Sequence, residues 1–84
     1  MKYVYIIRSE VIHNCLYVGV SSNPDKRLME HNESKCSHTS KYKPWKLIYI
    51  EGFEFGKYAF SRETQIKKWS RGKKELLVRG VIGK

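Results

Sequence analysis

KYVYIIRSEVIHNCLYVGVS, residues 2–21, sets the architecture of the whole chain. Its first six residues are β-branched and aromatic with alternating character, its middle is polar, and Leu16–Ser21 alternates again. Two strands joined by a loop follow. The residues between them lack the two-residue signature of a tight turn, so a longer connection is expected near Ser9 to Asn14. In the second strand Leu16, Val18 and Val20 point one way, suited to a core, and Tyr17, Gly19 and Ser21 point the other. A glycine inside a strand marks a place where a ligand or another backbone comes close. Tyr3 and Tyr5 share the Tyr17 face in one of the possible registers.

Outward from that stretch, Ser22-Asn23-Pro24-Asp25 is a helix start. Asn23 can cap, Pro24 suits the first helical position, and Asp25 faces the positive helix end, which predicts a helix from Pro24 to about Asn32. Residues 33–44 are polar and rich in Ser and Lys with no clear period, and are expected to form a mobile loop near substrate. WKLIYIEGF, from Trp45 to Phe53, reads as a third strand with Trp45, Leu47 and Tyr49 on one face and Lys46, Ile48 and Ile50 on the other. Both faces are largely apolar, which suggests a central strand. From Gly56 onward, KYAFSRETQIKKWS has helical spacing, with Phe55, Ala59, Arg62, Ile66 and Trp69 along one side. Ser70-Arg71-Gly72 breaks that helix, and KKELLVRG gives one more short helix before a frayed tail. The expected order is β-β-α-β-α-α, an α+β fold in one domain spanning residues 1–84.

The chain has 84 residues, 40% hydrophobic and 30% charged, which suits one compact domain with one core. Seventeen Lys and Arg against eight Asp and Glu give a formal charge of +9, a bias toward a polyanion such as nucleic acid. A merely basic surface, or a small ribosome-associated protein, would carry the same charge. No apolar run approaches the roughly 20 residues needed to cross a bilayer, and no leader pattern opens the chain, so no membrane role and a cytoplasmic address are expected. Two cysteines, Cys15 and Cys36, are too few for a disulfide framework in so small a domain. His13, Cys15, Cys36 and His38 form H-x-C and C-x-H pairs of atypical spacing for zinc, and Cys15 is better read as a small apolar filler.

Three residues stand out chemically. Arg27 and His31 lie four apart, one above the other on a helix face, where they can converge on one phosphate; a solvated face is the commoner meaning of that spacing. Glu63 has Ala59, Phe60 and Ile66 one turn away, which sets a carboxylate at the edge of an apolar stripe. It then either pairs with Arg62 or Lys67 or binds a cation.

In this order, Tyr3-Val4-Tyr5, Tyr17-Val18-Gly19, Arg27, His31 and Glu63 resemble the GIY-YIG nuclease superfamily. The likeness is to its small single-domain bacterial proteins, related to the N-terminal domain of the UvrC repair nuclease. Nearly the whole chain is covered, including the helical ending FSRETQIKKWSRGKKELL. The resemblance implies a small three-stranded antiparallel sheet flanked by helices, with a catalytic surface on one sheet face built from the two tyrosines, Arg27 and Glu63. It further implies a metal-dependent endonuclease acting on DNA phosphodiester bonds, in repair or processing. Glu63 would be the sole protein ligand of one divalent cation, Mg2+ with Mn2+ as an alternative. Tyr17 would activate or orient the attacking water, Arg27 would neutralise charge on the phosphate, and Tyr5 would position water or phosphate. His31 would be an auxiliary proton acceptor or phosphate contact, and Gly19 would leave room for the scissile phosphate.

Two departures are visible. Val20 stands where many members have a lysine, with Lys26 the nearest substitute, and the asparagine near the end of larger members has no counterpart. An idle nucleic-acid-binding module is the alternative, with Lys26, Lys41, Lys43, Lys67, Lys68, Arg71, Lys73 and Lys74 on phosphates and Trp45 or Trp69 stacking. So small a surface leaves little room for base readout, so structure-selective or weakly specific cutting by a monomer is expected.

Overall fold

A computed structural model describes residues 1–12, 14–33 and 42–80. Strands β1 (Lys2–Ser9) and β2 (Leu16–Ser21) are followed by helix α1 (Pro24–Asn32) and strand β3 (Trp45–Phe53), then helices α2 (Gly56–Lys67) and α3 (Arg71–Val78). The order is the expected one. The sheet is antiparallel throughout, with strand order β2-β1-β3.

The central strand is therefore β1, and the expectation of a central β3 is corrected. Val4, Tyr5, Ile6 and Ile7 are buried in succession, as a strand covered on both faces must be. The two apolar faces of β3 have another origin. Ile6 pairs with Tyr49 but Ile7 pairs with Leu47, so Ile48 is one residue too many. Such a bulge bends the strand and resets its alternation. Trp45 and Leu47 consequently join one core layer, and Ile48 and Tyr49 the other.

Those two layers sandwich the sheet. On one face Tyr5, Ile7 and Trp45 pack with Tyr17, Leu47 and Leu28 of α1. On the other, Val4, Ile6 and Val18 pack with Ala59 and Ile66 of α2 and Leu77 of α3. Each fully buried Ile or Leu contributes about 1.5–3 kcal/mol by leaving water. Along α2, Ala59 and Ile66 are buried and Arg62 and Trp69 partly so, as the helical period requires, but Phe55 is exposed. Its extended backbone at the helix cap, φ −116° and ψ 137°, takes it out of that period.

Polar ties fix the layers. The Arg8 guanidinium grips the Glu75 carboxylate through two hydrogen bonds, tying β1 to α3. Arg62 Nε donates to Glu51 at 3.0 Å, tying α2 to β3, and the Tyr49 hydroxyl donates to the same carboxylate at 2.6 Å. Burial, then that bond to Glu51, pushes the Tyr49 hydroxyl up to about 12, so it stays a donor. Asn23 caps α1, its side-chain oxygen accepting from the Lys26 backbone N–H at 3.2 Å, with Pro24 in the first turn as expected. Among the described residues no helix is long and apolar enough to cross a membrane.

Candidate active site

The β1–β2 register pairs Tyr5 with Gly19, Ile7 with Tyr17 and Tyr3 with Ser21. Directly opposed residues point to the same face, so the tyrosines of the two strand motifs share one side of the sheet, the side α1 covers. A Cβ added at Gly19 would lie 2.5 Å from Tyr5 Oη and 2.6 Å from Tyr5 Cζ. The close approach signalled by this glycine is thus made by the Tyr5 phenol, which lies flat on β2. That corrects the picture of Gly19 as open space for a phosphate: any side chain there would first expel Tyr5.

Tyr5 Oη lies 3.1 Å from His31 Nε2, and both residues are buried. The Tyr17 ring meets the imidazole edge-on at 4.9 Å between centroids, with the Tyr5 ring 6.4 Å away and Trp45 6.5 Å away. His31 is therefore a core histidine, and a solvated helix face is the wrong reading of its spacing. Helical periodicity puts Arg27 and His31 on one face without saying which face is covered, and here α1 lays His31 on the sheet. Burial is the chief reason its pKa is lowered, and the nearby Arg27 charge adds to this, while Glu30 opposes it. A neutral imidazole has one donor and one acceptor nitrogen. Protonated on Nδ1, it accepts the Tyr5 hydroxyl at Nε2; in the other tautomer Nε2 donates to Tyr5 Oη. His31 and Tyr5 are both fully covered, so neither touches a ligand directly.

Solvent meets this cluster at Tyr17, which is half-buried, and at Arg27. Arg27 Nη1 donates to Glu30 at 2.7 Å, a pair whose i,i+3 spacing was present in the sequence.

Glu63 stands elsewhere. It lies on α2, which packs against the opposite sheet face, with its carboxylate 3.6 Å from Lys67 Nζ. Of the two partners the sequence offered, Lys67 is the one taken, since Arg62 is committed to Glu51. A step of one residue turns the helix by about 100°, so Glu63 is rotated away from the Arg62 flank that α2 ties to β3. α2 also lies against β1 and β2, and β2 is the edge strand that carries Tyr17 and Gly19. The structure thus assembles Tyr5, Tyr17, Gly19, His31 and Arg27 on one face and sets Glu63 on the helix behind them, which corrects the expectation of a single sheet face that includes the glutamate.

Among the basic residues, Lys26, Lys43, Lys67, Lys68 and Arg71 are exposed, as phosphate contacts must be, and Lys41 lies outside the described residues. Neither tryptophan is an open stacking surface. Trp45 is buried in the core, and Trp69 has the Lys73 ammonium 4.4 Å and the Arg62 guanidinium carbon 5.3 Å from its ring centre. Of the considered zinc ligands, His13, Cys36 and His38 lie outside the described residues. Cys15 packs beside the Trp45 layer as an apolar filler. Among the described residues no three His, Cys, Asp or Glu side chains are grouped to hold a metal.

Several anchoring residues were not foreseen. The Asn32 side chain donates to the Trp45 carbonyl at 3.1 Å and accepts from the Trp45 N–H, pairing with β3 as another strand would. Buried Ser9 donates to the Tyr42 carbonyl at 2.6 Å and accepts from Val11 and Ile12 N–H groups at 3.1 and 3.0 Å. A serine at a strand end, followed by a loop, is the one signal that could have pointed to this turn.

The family model described as the GIY-YIG catalytic domain matches residues 1–75. The chain belongs to this GIY-YIG family. A UPF0213 protein of Syntrophus aciditrophicus is 39% identical over 80 residues, covering 93% of this chain and 90% of that protein. Another, from Clostridium perfringens, is 39% identical over 79 residues, covering 93% and 83%. A structure-specific endonuclease subunit, Slx1 of Neosartorya fischeri, is 38% identical over 55 residues, which are 58% of this chain but 14% of that protein. The solution NMR structure of a UPF0213 protein from Bacillus halodurans superposes with a TM-score of 0.59 at 31% identity, covering 94% of this chain and 84% of that one. The tyrosines, Gly19, Arg27, His31 and Glu63 all fall inside the GIY-YIG match.

Proposed function

We propose that this GIY-YIG domain is a metal-dependent DNA endonuclease that hydrolyses phosphodiester bonds, structure-selective or weakly specific, in DNA repair or processing. The observation that carries the reading is the hydrogen bond between Tyr5 and a buried, pKa-lowered His31 beneath the half-exposed Tyr17. A tyrosine at its ordinary pKa of about 10 is a poor base near neutrality. A cation beside the phenol relieves that difficulty, and the covered Tyr5–His31 pair fixes where Tyr17 points.

In this scheme Tyr17 and Arg27 meet the substrate. Tyr17 orients the attacking water with its hydroxyl, and the Arg27 fork compensates charge that builds on the phosphate oxygens. Tyr5 and His31, both covered, hold Tyr17 in place from beneath. Glu63 would hold one divalent cation, Mg2+ or Mn2+. The donor chemistry fits. Magnesium is held by one or two carboxylates with waters and substrate phosphates completing its shell, and Glu63 is a single, partly exposed carboxylate whose lysine partner is itself half-exposed. When bound, the cation would supply charge stabilisation to the leaving oxygen.

The test is incubation with supercoiled, branched and single-stranded DNA in magnesium, beside Glu63→Ala and Arg27→Ala. Nicking by the wild type that both substitutions abolish is the expected result. Equal nicking by the wild type and Glu63→Ala would mark contamination and sink the catalytic reading. DNA binding without any cleavage would leave a binding module in its place.

A further inference from the structure

β1 lays a phenol on each of its neighbours. Tyr5 leans onto Gly19 of β2, and Tyr3 leans onto Gly52 of β3, where an added Cβ would come 3.1 Å from Tyr3 Cε1 and 3.3 Å from Tyr3 Cδ1. Tyr3 is paired with Ser21 on one side and Gly52 on the other, so it stands on the sheet face that carries Tyr5 and Tyr17. The two glycine-backed rings differ in what covers them. Tyr5 is buried and bonded to His31, whereas Tyr3 is half-buried and its hydroxyl donates to the Met1 sulfur at 3.5 Å, in an exposed pair. A thioether is a weak acceptor, so among the described residues this O–H has no strong partner.

Helix α1 places positive charge at the same end of the face. It starts three residues beyond Ser21, which is level with Tyr3, and its last residue, Asn32, bonds to Trp45, which is level with Ser9 at the far end of β1. Lys26 and Arg27, near the start of α1, therefore lie toward Tyr3, and His31 lies over Tyr5 and Tyr17. Four residues of strand, roughly 13 Å, separate Tyr3 from Ile7, which is level with Tyr17.

We infer that Tyr3 is a substrate-binding residue whose hydroxyl donates to a backbone phosphate of the DNA other than the one cut. The inference deepens the proposed function and rests on it for the identity of the substrate as DNA. Position argues for a separate phosphate. Tyr17 stands on β2 and the Tyr3 ring lies over β3, so the two phenols are set apart across the sheet as well as along it. Chemistry argues for a phosphate as the acceptor, because a hydroxyl bonded to an ionised oxygen makes a stronger hydrogen bond than one bonded to a neutral group. The ring seated on Gly52 holds the donor in place beforehand, which lowers the ordering cost of binding. A contact of this kind fixes the register of a strand without reading its sequence.

Tyr3→Phe removes the hydroxyl and keeps the ring on Gly52, so the variant should fold and melt as the wild type does. Binding to a branched oligonucleotide is measured by fluorescence anisotropy in the Glu63→Gln background without metal, and cleavage of the same DNA is measured in magnesium with Glu63 in place. Tyr3→Phe should weaken binding and raise KM about five-fold or more, while kcat falls about two-fold at most. The salt dependence of binding should keep its slope, since a neutral hydroxyl releases no counterion, whereas Lys26→Ala should reduce that slope by about one. Binding by Tyr3→Phe equal to that of its parent would overturn the inference. So would a loss seen in Tyr3→Ala alone, which would make Tyr3 a stacking surface, or a loss matched by a lower melting temperature, which would make its role structural. A wild type that fails to cleave, with the effect of Tyr3→Phe on binding intact, would sink only the nuclease reading.

Discussion

The two faces of the sheet are built from different chemistry. Behind α2 and α3 the contact is aliphatic: Val4, Ile6, Val18, Ala59, Ile66 and Leu77. Beneath α1 it is a packing of phenols, an imidazole and an indole, held by a hydrogen bond and edge-on ring contacts. Hydrophobic burial is non-directional, so the first face can stabilise the domain without specifying the placement of any one atom. Hydrogen bonds and ring edges are directional, so the second face specifies where Tyr5, Tyr17 and His31 point. One strand serves both, because β1 alternates Val4 and Ile6 toward stability with Tyr5 and Ile7 toward the site.

That division can be broken deliberately. The largest effect should come from Glu63, which stabilises little and is assigned the cation. Glu63→Ala, or chelation of the metal, should cut cleavage about a thousand-fold, roughly 4 kcal/mol of barrier. Thermal stability should hardly move, since its pair with Lys67 is a surface one worth at most about 1 kcal/mol. The reverse is expected of Ile66→Ala in the aliphatic layer: a loss of about 3 kcal/mol by urea unfolding, with turnover per folded molecule retained. Gly19→Ala should affect both properties, because displacing the Tyr5 phenol overpacks the site by about 1–3 kcal/mol. Retained wild-type stability and activity in that variant would refute the close packing of Tyr5 on β2.

The smallest effect separates the faces by pH. His31 has a folded pKa below its ordinary value of 6.5, so the unfolded chain binds the proton more readily. The stability it confers is complete above about 6.5 and is lost as the pH falls through that value toward the lowered folded pKa. Melting temperatures of the wild type should therefore decline on acidification more than those of His31→Gln, and cleavage should decline with them as protonation of the covered imidazole loosens the packing that holds Tyr17. Parallel melting curves would show that the burial of His31 is not what carries the pH dependence.

Much of this was legible in the sequence. The alternation of residues 2–7 and 16–21 gave both strands, and Asn23-Pro24 marked the start of α1. The ordered set from Tyr3 to Glu63 pointed to the family the comparison with GIY-YIG domains established. Strand order was hidden by one surplus residue, Ile48, which made an edge strand look apolar on both sides. The burial of His31 was hidden because helical spacing fixes relative direction and not which side the sheet lies on. Gly19 signalled a close approach without naming its occupant. Phe55 misled because a cap residue obeys the chain before the helix rather than the helix.

Asn32 and Ser9 have a consequence for how this fold can vary. Asn32 fastens the end of α1 to the backbone of Trp45, while Ser9 holds the Tyr42 carbonyl and the Glu10 N–H holds that of Pro44 at 2.9 Å. Asn32, Tyr42 and Pro44 are thus each fastened at a fixed place beside the sheet. Changes of chain length between Asn32 and Tyr42 should therefore leave Tyr5, Tyr17 and His31 in their places, since those residues are held by contacts outside that stretch.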